Sequence, residues 1–521
     1  MANRKIWSSL GRVALAVIVV FIGILSKNSV TYGQQANAWT DPVALERNGW
    51  FPDITTDQSG RIHVAWSNSV VYTDKGSNVR SGYDVVLYTS SMDGVEWEPI
   101  NEIAALSETR VGNVEVTRPA LLVDPSNIFH MTFRDMNVYY ANSPVQVAST
   151  ARYWSKLEML TTTDLGYFSR LAVDSKGRLH VVYTENVYSS DCLICYHLFY
   201  RNSDDGGKNW SSEVDVSTIP TGSAKPQILI DPQDNIHVVW EAGRGGTLGQ
   251  LTDPTMVMYT VSYNRGDSWS QPLELRAPES VQSKNITIGR DGAGNLVLVW
   301  WSLPQDVPYY QTSADNGLSW SDPAVIPNVW GIWQNYQSRL DDYSMVTDSA
   351  GNIHLIMVGR LALEDSTLRL LHVTWAGNGW GAPEAIVSYN GDAPEWPRIA
   401  ISNGNQLNVV WFVRAKDFIW AASADVYKLW YTRRKVDAPY VAPVAYPEFV
   451  APTPTARPTE EARTTVTVDP NLPKLQGTVV VDPKQAEVVS EVDQLTVVGR
   501  SVLPALAVVV VLLAVILIRR R

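Results

Sequence analysis

Charge is scarce in this sequence. Asp, Glu, Lys and Arg make up 18% of its 521 residues, and acids outnumber bases for a formal net charge of −11. That surplus excludes nucleic acid as a main partner, because phosphate backbones are bound by basic surfaces. Cysteine is scarcer still: Cys192 and Cys195, in "DCLICYH", are the two present. A zinc centre needs more ligands than this stretch offers, with His197 alone nearby, and a thioredoxin-like role needs a βαβ context that is missing. In an exported chain the simplest reading is a local Cys192–Cys195 disulfide pinning a loop, with metal binding and redox chemistry as alternatives. There is no G-x-S-x-G, no H-E-x-x-H and no Walker A; "GRGGTLG" (243–249) is a glycine cluster with no helix after it. No cofactor and no metal are therefore expected.

Aromatics are what the chain has in abundance, with 20 Trp and 23 Tyr. Low charge with many aromatics fits an all-β protein that packs rings on sheet faces. Both ends carry apolar runs. A basic segment with Arg4, Lys5 and Arg12 precedes "VALAVIVVFIGIL" (13–25), which reads as a secretory signal over 1–33. "VLPALAVVVVLLAVILI" (502–518) ends on Arg519, Arg520 and Arg521. That is enough apolar length to cross a bilayer, with the C-terminus cytoplasmic by the positive-inside rule. The expectation is a cell-membrane protein with one span at 501–521, its folded part extracellular.

A phrase of the form D-x-x-G/N-x-I/L-H-V-V-W recurs seven times: "DQSGRIHVAW" (57–66), "DPSNIFHMTF" (124–133), "DSKGRLHVVY" (174–183), "DPQDNIHVVW" (231–240), "DGAGNLVLVW" (291–300), "DSAGNIHLIM" (348–357) and "SNGNQLNVVW" (402–411). Each follows a short apolar strand, so the Asp/Gly/Asn cluster is hairpin-turn chemistry. A third strand such as "VVLYTS" (85–90) and a Trp-led strand complete each unit. Four antiparallel strands at this period make a propeller blade. His63, His130, His180, His237 and His354 share one repeat position. Recurrence at a fixed offset argues for strand packing over catalysis.

The turn between third and fourth strands reads "SDDGGKNW" (203–210) and "SADNGLSW" (313–320), both S-x-D-x-G-x-x-W, with "SYNRGDSW" (262–269) placing Asn264 at the Asp position. "SSMDGVEW" (90–97) keeps Ser90, Gly94 and Trp97 and shifts the acid to Asp93. This pattern resembles the Asp-box, or BNR repeat, of sialidase-like β-propellers. The box itself is structural: Asp and Ser bind turn amides, Gly takes a positive φ, and Trp plugs between sheets.

Trp-led closing strands begin at Trp39, Trp97, Trp154, Trp210, Trp269, Trp320 and Trp380, while the last hairpin lacks one of its own. "WTDPVALE" (39–46) therefore supplies the missing strand and zips the ring shut. The expected fold is all-β: a seven-bladed propeller of four-stranded antiparallel blades over 34–438, closed by an N-terminal strand. A Pro/Thr-rich stalk over 439–500 and the transmembrane helix follow.

Propeller ligands usually meet the face that carries the second-to-third and fourth-to-first connections. Here those loops hold Trp330, Trp333, Tyr336, Trp396 and Trp420, flat surfaces on which a sugar can stack. Arg118, Arg170 and Arg398 lie on inner strands, and Arg134, Arg360 and Arg414 just beyond second strands. Converging guanidiniums would form a bidentate clamp for a sialic or uronic carboxylate. Candidate acids in the same layer are Asp135, Glu185 and Glu241. The resemblance implies an Arg triad, an Asp acid/base and a Tyr nucleophile assisted by Glu. The sequence departs from it: the R-I-P motif is absent, "TRP" and "PRI" only echo it, and seven blades replace the family's six. Two functions follow: a surface propeller recognising a glycan or protein at the channel mouth, and a sialidase-like exo-glycosidase.

Overall fold

The computed structural model describes residues 38–73, 80–105, 117–163, 165–187, 195–218, 221–244, 253–332, 341–415, 427–447 and 449–450. The chain divides into two units at residue 450, and every described residue belongs to the first. The signal segment, most of the expected stalk and the span at 501–521 lie outside the described residues. Among those described, no helix is long and apolar enough to cross a membrane.

The described residues form seven four-stranded antiparallel sheets. Blade 1 runs Trp50–Thr56, Ile62–Thr73, Arg80–Ser91 and Asn101–Ala105; blade 2 runs Ala120–Val123, Ile128–Asp135, Asn137–Pro144 and Glu158–Met159. Blade 3 follows as Gly166–Val173, Leu179–Val187, Cys195–Ser203 and Val214–Asp215, and blade 4 as Gly222–Ile230, Ile236–Arg244, Asp253–Ser262 and Leu273–Leu275. Blade 5 is Gln282–Arg290, Leu296–Leu303, Val307–Ser313 and Ala324–Val325; blade 6 is Ser344–Thr347, Ile353–Gly359, Leu368–Trp375 and Glu384–Tyr389. Blade 7 joins both ends of the ring. Its strands Ala393–Ser402, Gln406–Arg414 and Tyr427–Lys435 take their outer partner from Val43–Glu46. Val43 pairs with Tyr431 and Ala44 with Trp430, so the N-terminal strand closes the last blade as its sequence position implied.

Second strands are the driest part of each blade. Leu296–Leu303 and Ile353–Gly359 are buried throughout. Such runs are apolar on both sides because a blade's middle strands are covered by both neighbouring blades. Between blades the aromatics interlock: Tyr140 meets Trp210 at 5.0 Å, Tyr200 meets Trp269 at 4.9 Å and Tyr259 meets Trp320 at 5.0 Å, all edge-on. In the third-to-fourth turn of blade 3, Gly207 N–H donates to Ser203 Oγ at 2.9 Å, and Asp205 Oδ1 accepts the amides of Lys208 and Asn209. The turn at 90–97 corrects the sequence alignment. Ser91, not Ser90, accepts Gly94 N–H at 2.8 Å, and Asp93 accepts Val95 N–H. Ser and Asp keep their spacing there, and one residue is missing between Asp and Gly.

The repeated histidines are more than packing. His63 Nδ1 lies 2.7 Å from the Tyr88 hydroxyl and its Nε2 lies 2.8 Å from Asp57. His130, His180 and His237 repeat the arrangement with Tyr140, Tyr200 and Tyr259. Each Asp is the turn residue six positions before its His, so the triad ties a first hairpin to the third strand of the same blade.

The chain does not leave the ring at residue 438. Val441 N–H donates to Asn403 O, Val444 N–H to Gln58 O, and Gln146 Nε2 to Pro447 O. Tyr446 packs against the core between blades 1 and 2, and Phe449 meets Tyr153 at 5.3 Å. Residues 439–447 and 449–450, expected as the start of a stalk, form a strap across the face of the first-to-second and third-to-fourth turns. Among the described residues, none of this strap reaches the opposite face, which carries the long connections.

Candidate functional site

The inner strands reach the loop-face mouth through a repeated irregularity. Trp50 pairs with Ser67 and Asp53 with Ala65, leaving one residue too many on the inner strand. The same slip occurs at Gly166/Ser169, Ala224/Gln227, Lys284/Thr287 and Glu395/Arg398. At the residue after the slip begins, φ is +49° at Phe51, +46° at Lys225, +59° at Asn285 and +52° at Trp396; Tyr167, after the slip of blade 3, is not among the positive-φ residues, and Arg118, just ahead of the inner strand of blade 2 where no slip occurs, has +42° at the same distance from its hairpin turn. Non-glycine residues avoid this region at a cost of about 1–2 kcal/mol each. Five at one repeat position mark a place where strain is maintained for position. In four of the five the next residue is proline (Pro52, Pro119, Pro226, Pro397), which has no N–H to lose in a bulge.

These side chains fill the mouth. Trp396 of blade 7 meets Phe51 edge-on at 4.9 Å and stacks on Phe168 of blade 3 at 6.2 Å. The Arg118 guanidinium lies over the rings of Phe51, Tyr167 and Phe168 at 4.3, 4.5 and 5.4 Å. Lys225 Nζ sits 6.0 Å from the Trp396 ring, donates to Asp341 O at 2.5 Å and lies 3.4 Å from Glu241 Oε1. Phe51, Phe168, Arg118, Lys225 and Trp396 are all buried. The mouth is thus a solid floor of aromatic faces and two cations, spanning the channel from blade 3 to blade 7.

Beneath it lies an ion cluster built from distant blades. Arg398 Nη2 lies 2.7 Å from Asp342 Oδ2, its Nε is 3.7 Å from Asp53 Oδ1, and Arg170 Nη2 approaches the same Asp342 oxygen at 4.0 Å. Burial, then the neighbouring Arg398, pull the Arg170 guanidinium down to about 10, against Asp53 and Asp342. Beside it, Asp341 Oδ2 accepts from Asn285 Nδ2 at 2.9 Å. Burial pushes the Asp341 carboxyl up to about 8 despite Lys284 and Lys225. Glu241, which accepts Asn285 N–H at 2.6 Å, is likewise raised by burial against Lys225.

Of the six candidate arginines, Arg170 and Arg398 meet at one carboxylate, Arg118 and Arg134 share the Tyr167 ring, and Arg360 and Arg414 stand apart with their own acids. Arg134 donates from Nε to Gly166 O and lies over Tyr167. Arg360 pairs with Asp306, and Arg414 with Glu395. Among the candidate acids, Glu185 accepts the amides of Thr162 and Thr163 and holds the connection into blade 3. Asp135 stands half-buried at the turn to Asn137, and Glu241 belongs to the Lys225 group. Trp330 bridges to Arg360 through its backbone, while Trp333, Tyr336 and Trp420 lie outside the described residues. Cys195 is disulfide-bonded; its one possible partner, Cys192, lies outside them too. No cluster of His, Cys, Asp or Glu suited to a metal occurs among the described residues.

Lys225, Asn285, Asp341 and Asp342 went unnoticed in the sequence. A signal was there for the rim: Pro52, Pro119, Pro226 and Pro397 each stand five residues before the first hairpin-turn residue of their blade.

No family model and no curated protein matches the chain. Solved structures do. The chain is similar to a protein of unknown function from Dyadobacter fermentans, with 11% identity over 77% of this chain and 100% of that one, TM-score 0.46. It is similar to an ulvan lyase described as a new polysaccharide lyase family, bound to a GlcA–Rha3S unit, with 12% identity over 76% and 93% of the two chains, TM-score 0.49. It is also similar to the NanB sialidase of Streptococcus pneumoniae, with 12% identity over 77% and 70%, TM-score 0.41. At such identities a likeness concerns architecture alone, and the chemistry has to be read from this chain's own residues.

Proposed function

We propose that this chain is a membrane-anchored surface propeller that recognises glycan with its loop face, the channel serving as a rigid floor and not as a hydrolytic centre. One observation carries the reading. Asp342, supplied by the protein itself, stands between Arg170 and Arg398, where the carboxylate of an acidic sugar would have to bind. A clamp already neutralised inside the molecule gains little by exchanging its buried partner for a substrate, since separating a desolvated pair leaves charges uncompensated. The net charge of −11 adds repulsion toward polyanionic glycans, so neutral ones are the favoured class. The anchor and the outward placement rest on the apolar run at 502–518.

A sialidase-like exo-glycosidase is the second reading. What favours it is that two guanidiniums from blades 3 and 7 do meet at one carboxylate.

Incubating the purified full chain with sialylated, uronylated and neutral glycans separates the two readings. Retention of neutral glycans without released monosaccharide, followed by mass spectrometry, is the expected result. Release of a sialic or uronic acid, abolished in Arg170→Ala and Arg398→Ala, would establish the enzyme instead. Retention of no glycan class would sink both and leave a protein ligand.

A further inference from the structure

Six blades carry tyrosine at one position of the third strand: Tyr88, Tyr140, Tyr200, Tyr259, Tyr310 and Tyr431, each two residues before the cross-strand partner of the repeat's histidine position. Blade 6 carries His372 there. Its Nε2 takes the place of the tyrosine hydroxyl, 2.9 Å from His354 Nδ1.

The surroundings differ as well. Tyr140, Tyr200, Tyr259 and Tyr431 are each covered by the glycine of the next blade's third-to-fourth turn. At the seam this turn cannot exist, because the third and fourth strands of blade 7 come from opposite ends of the chain. The site is instead a cleft of about 360 Å³ lined by Asp348, His354, His372, Thr374, Glu384 and Arg434, among others. Trp39, leading into the closing strand, meets His372 edge-on at 5.3 Å.

The bonds in this cleft run in one direction. His354 Nε2 donates to Asp348 Oδ2 at 3.1 Å, His372 Nε2 donates to His354 Nδ1, and Arg434 Nη1 donates to His372 Nδ1 at 3.4 Å while pairing with Glu384. One added proton can be accommodated. His354 then donates to both neighbours, and His372 Nδ1–H turns to Glu384 Oε2, 3.6 Å away. A second proton cannot, because two N–H groups would face each other across 2.9 Å between two positive rings. In the blades with tyrosine the hydroxyl can accept from an imidazolium, so a protonated ring keeps both partners.

We propose that the seam between blades 6 and 7 is an acid-released latch: double protonation of the His354–His372 pair frees Trp39 and the closing strand before any other blade contact gives. Asp348 and Asn352 come from the first hairpin of blade 6, Thr374 and Glu384 from its outer strands, and Arg434 and Asp437 from the third strand of blade 7 and just beyond. Burial, then His372, hold His354 at about 4, and burial with Arg434 holds His372 below its ordinary value against Glu384. Both rings bind protons more readily once the seam is open. Opening is therefore favoured progressively as pH falls below about 6.5, with the His354 share complete near about 4 and His372 adding to it in the same direction.

Amide hydrogen exchange on the full chain, corrected for intrinsic rates, tests this. Thr40 N–H, bonded to Arg433 O at the seam, is compared with its counterpart Ser211 N–H, bonded to Asn202 O in blade 3. Between about pH 7.5 and about pH 4.5, Thr40 protection should fall at least about tenfold more than that of Ser211. His372→Tyr, which restores the residue of the other blades, and His372→Gln, which keeps a neutral amide there, should both abolish the difference. Either variant suffices if the other fails to fold. Equal loss at the two amides in the parent, or an undiminished difference in the variants, overturns the latch.

Discussion

The hydroxyl of Tyr200, in blade 3, occupies the space where a side chain on Gly266, in the third-to-fourth turn of blade 4, would begin. Tyr140 stands in the same relation to Gly207, Tyr259 to Gly317 and Tyr431 to Gly94. The glycine of the S-x-D-x-G turn therefore serves the neighbouring blade as much as its own. It removes the Cβ from the point where one blade's tyrosine reaches under the next.

Gly266→Ala should cost at least about 3 kcal/mol, since the methyl group meets Tyr200 and the residue must also hold φ near +94°. Gly377→Ala, at φ +86° with nothing within 4 Å, should cost about 1 kcal/mol, the backbone effect alone. Denaturant unfolding of the two variants decides it, and equal losses would remove the packing explanation.

Asp342→Ala leaves Arg398 and Arg170 side by side with their shared carboxylate gone. A loss of about 3–5 kcal/mol is expected, because a buried charge stripped of its partner is costly. Arg398→Met added to Asp342→Ala should recover part of it. A double-mutant cycle with no coupling above about 0.5 kcal/mol would show that the pair does not act as one unit.

The strap should hold the ring from its turn face. Tyr446→Ala removes a ring packed on the core between blades 1 and 2, and a loss of about 1–3 kcal/mol is expected. Proteolytic cleavage within 438–447 should speed up in the variant under conditions that leave the parent intact. An unchanged cleavage rate would make the strap an incidental contact.

Acid should weaken the triads through burial. His180 is held at about 4 by desolvation, against its bond to Asp174. Unfolded, it takes up a proton near 6.5, so the unfolded chain binds more protons between these values. Stability falls as pH drops from about 6.5 to about 4, by up to about 3 kcal/mol from this group, and is flat in this term below. Unfolding midpoints measured across that window in the parent and in His180→Gln should diverge at neutral pH and converge in acid. Parallel curves would assign the acid sensitivity elsewhere.

Much of the ring was legible because each repeat carries its own instructions. The turn residues, the alternating apolar strands and the closing Trp are local signals, repeated often enough to count. Trp39 at the start and the missing partner of "LWYTRR" at the end were enough to place the seam. The slip at 90–97 shows the limit of pattern: Ser90 and Ser91 are adjacent, and only the hydrogen bonds tell which one holds Gly94. The site was far less legible. Arg118, Arg134, Arg360 and Arg414 matched the chemistry of a clamp, yet aromatic faces, carbonyls or neighbouring acids had claimed them.

The sequence alone determined the blade number, the strand order and the closure by residues 43–46, because turn chemistry and strand alternation act over a few neighbouring residues. Tertiary structure decided what the channel is. Arg170, Asp342 and Arg398 lie in blades 3, 6 and 7 and meet only because ring closure brings every inner strand to one axis. No periodicity along the chain records which side chain will face which across that axis. The same holds at the seam, where His372 gains its cleft from the one blade whose outer turn the connectivity removes.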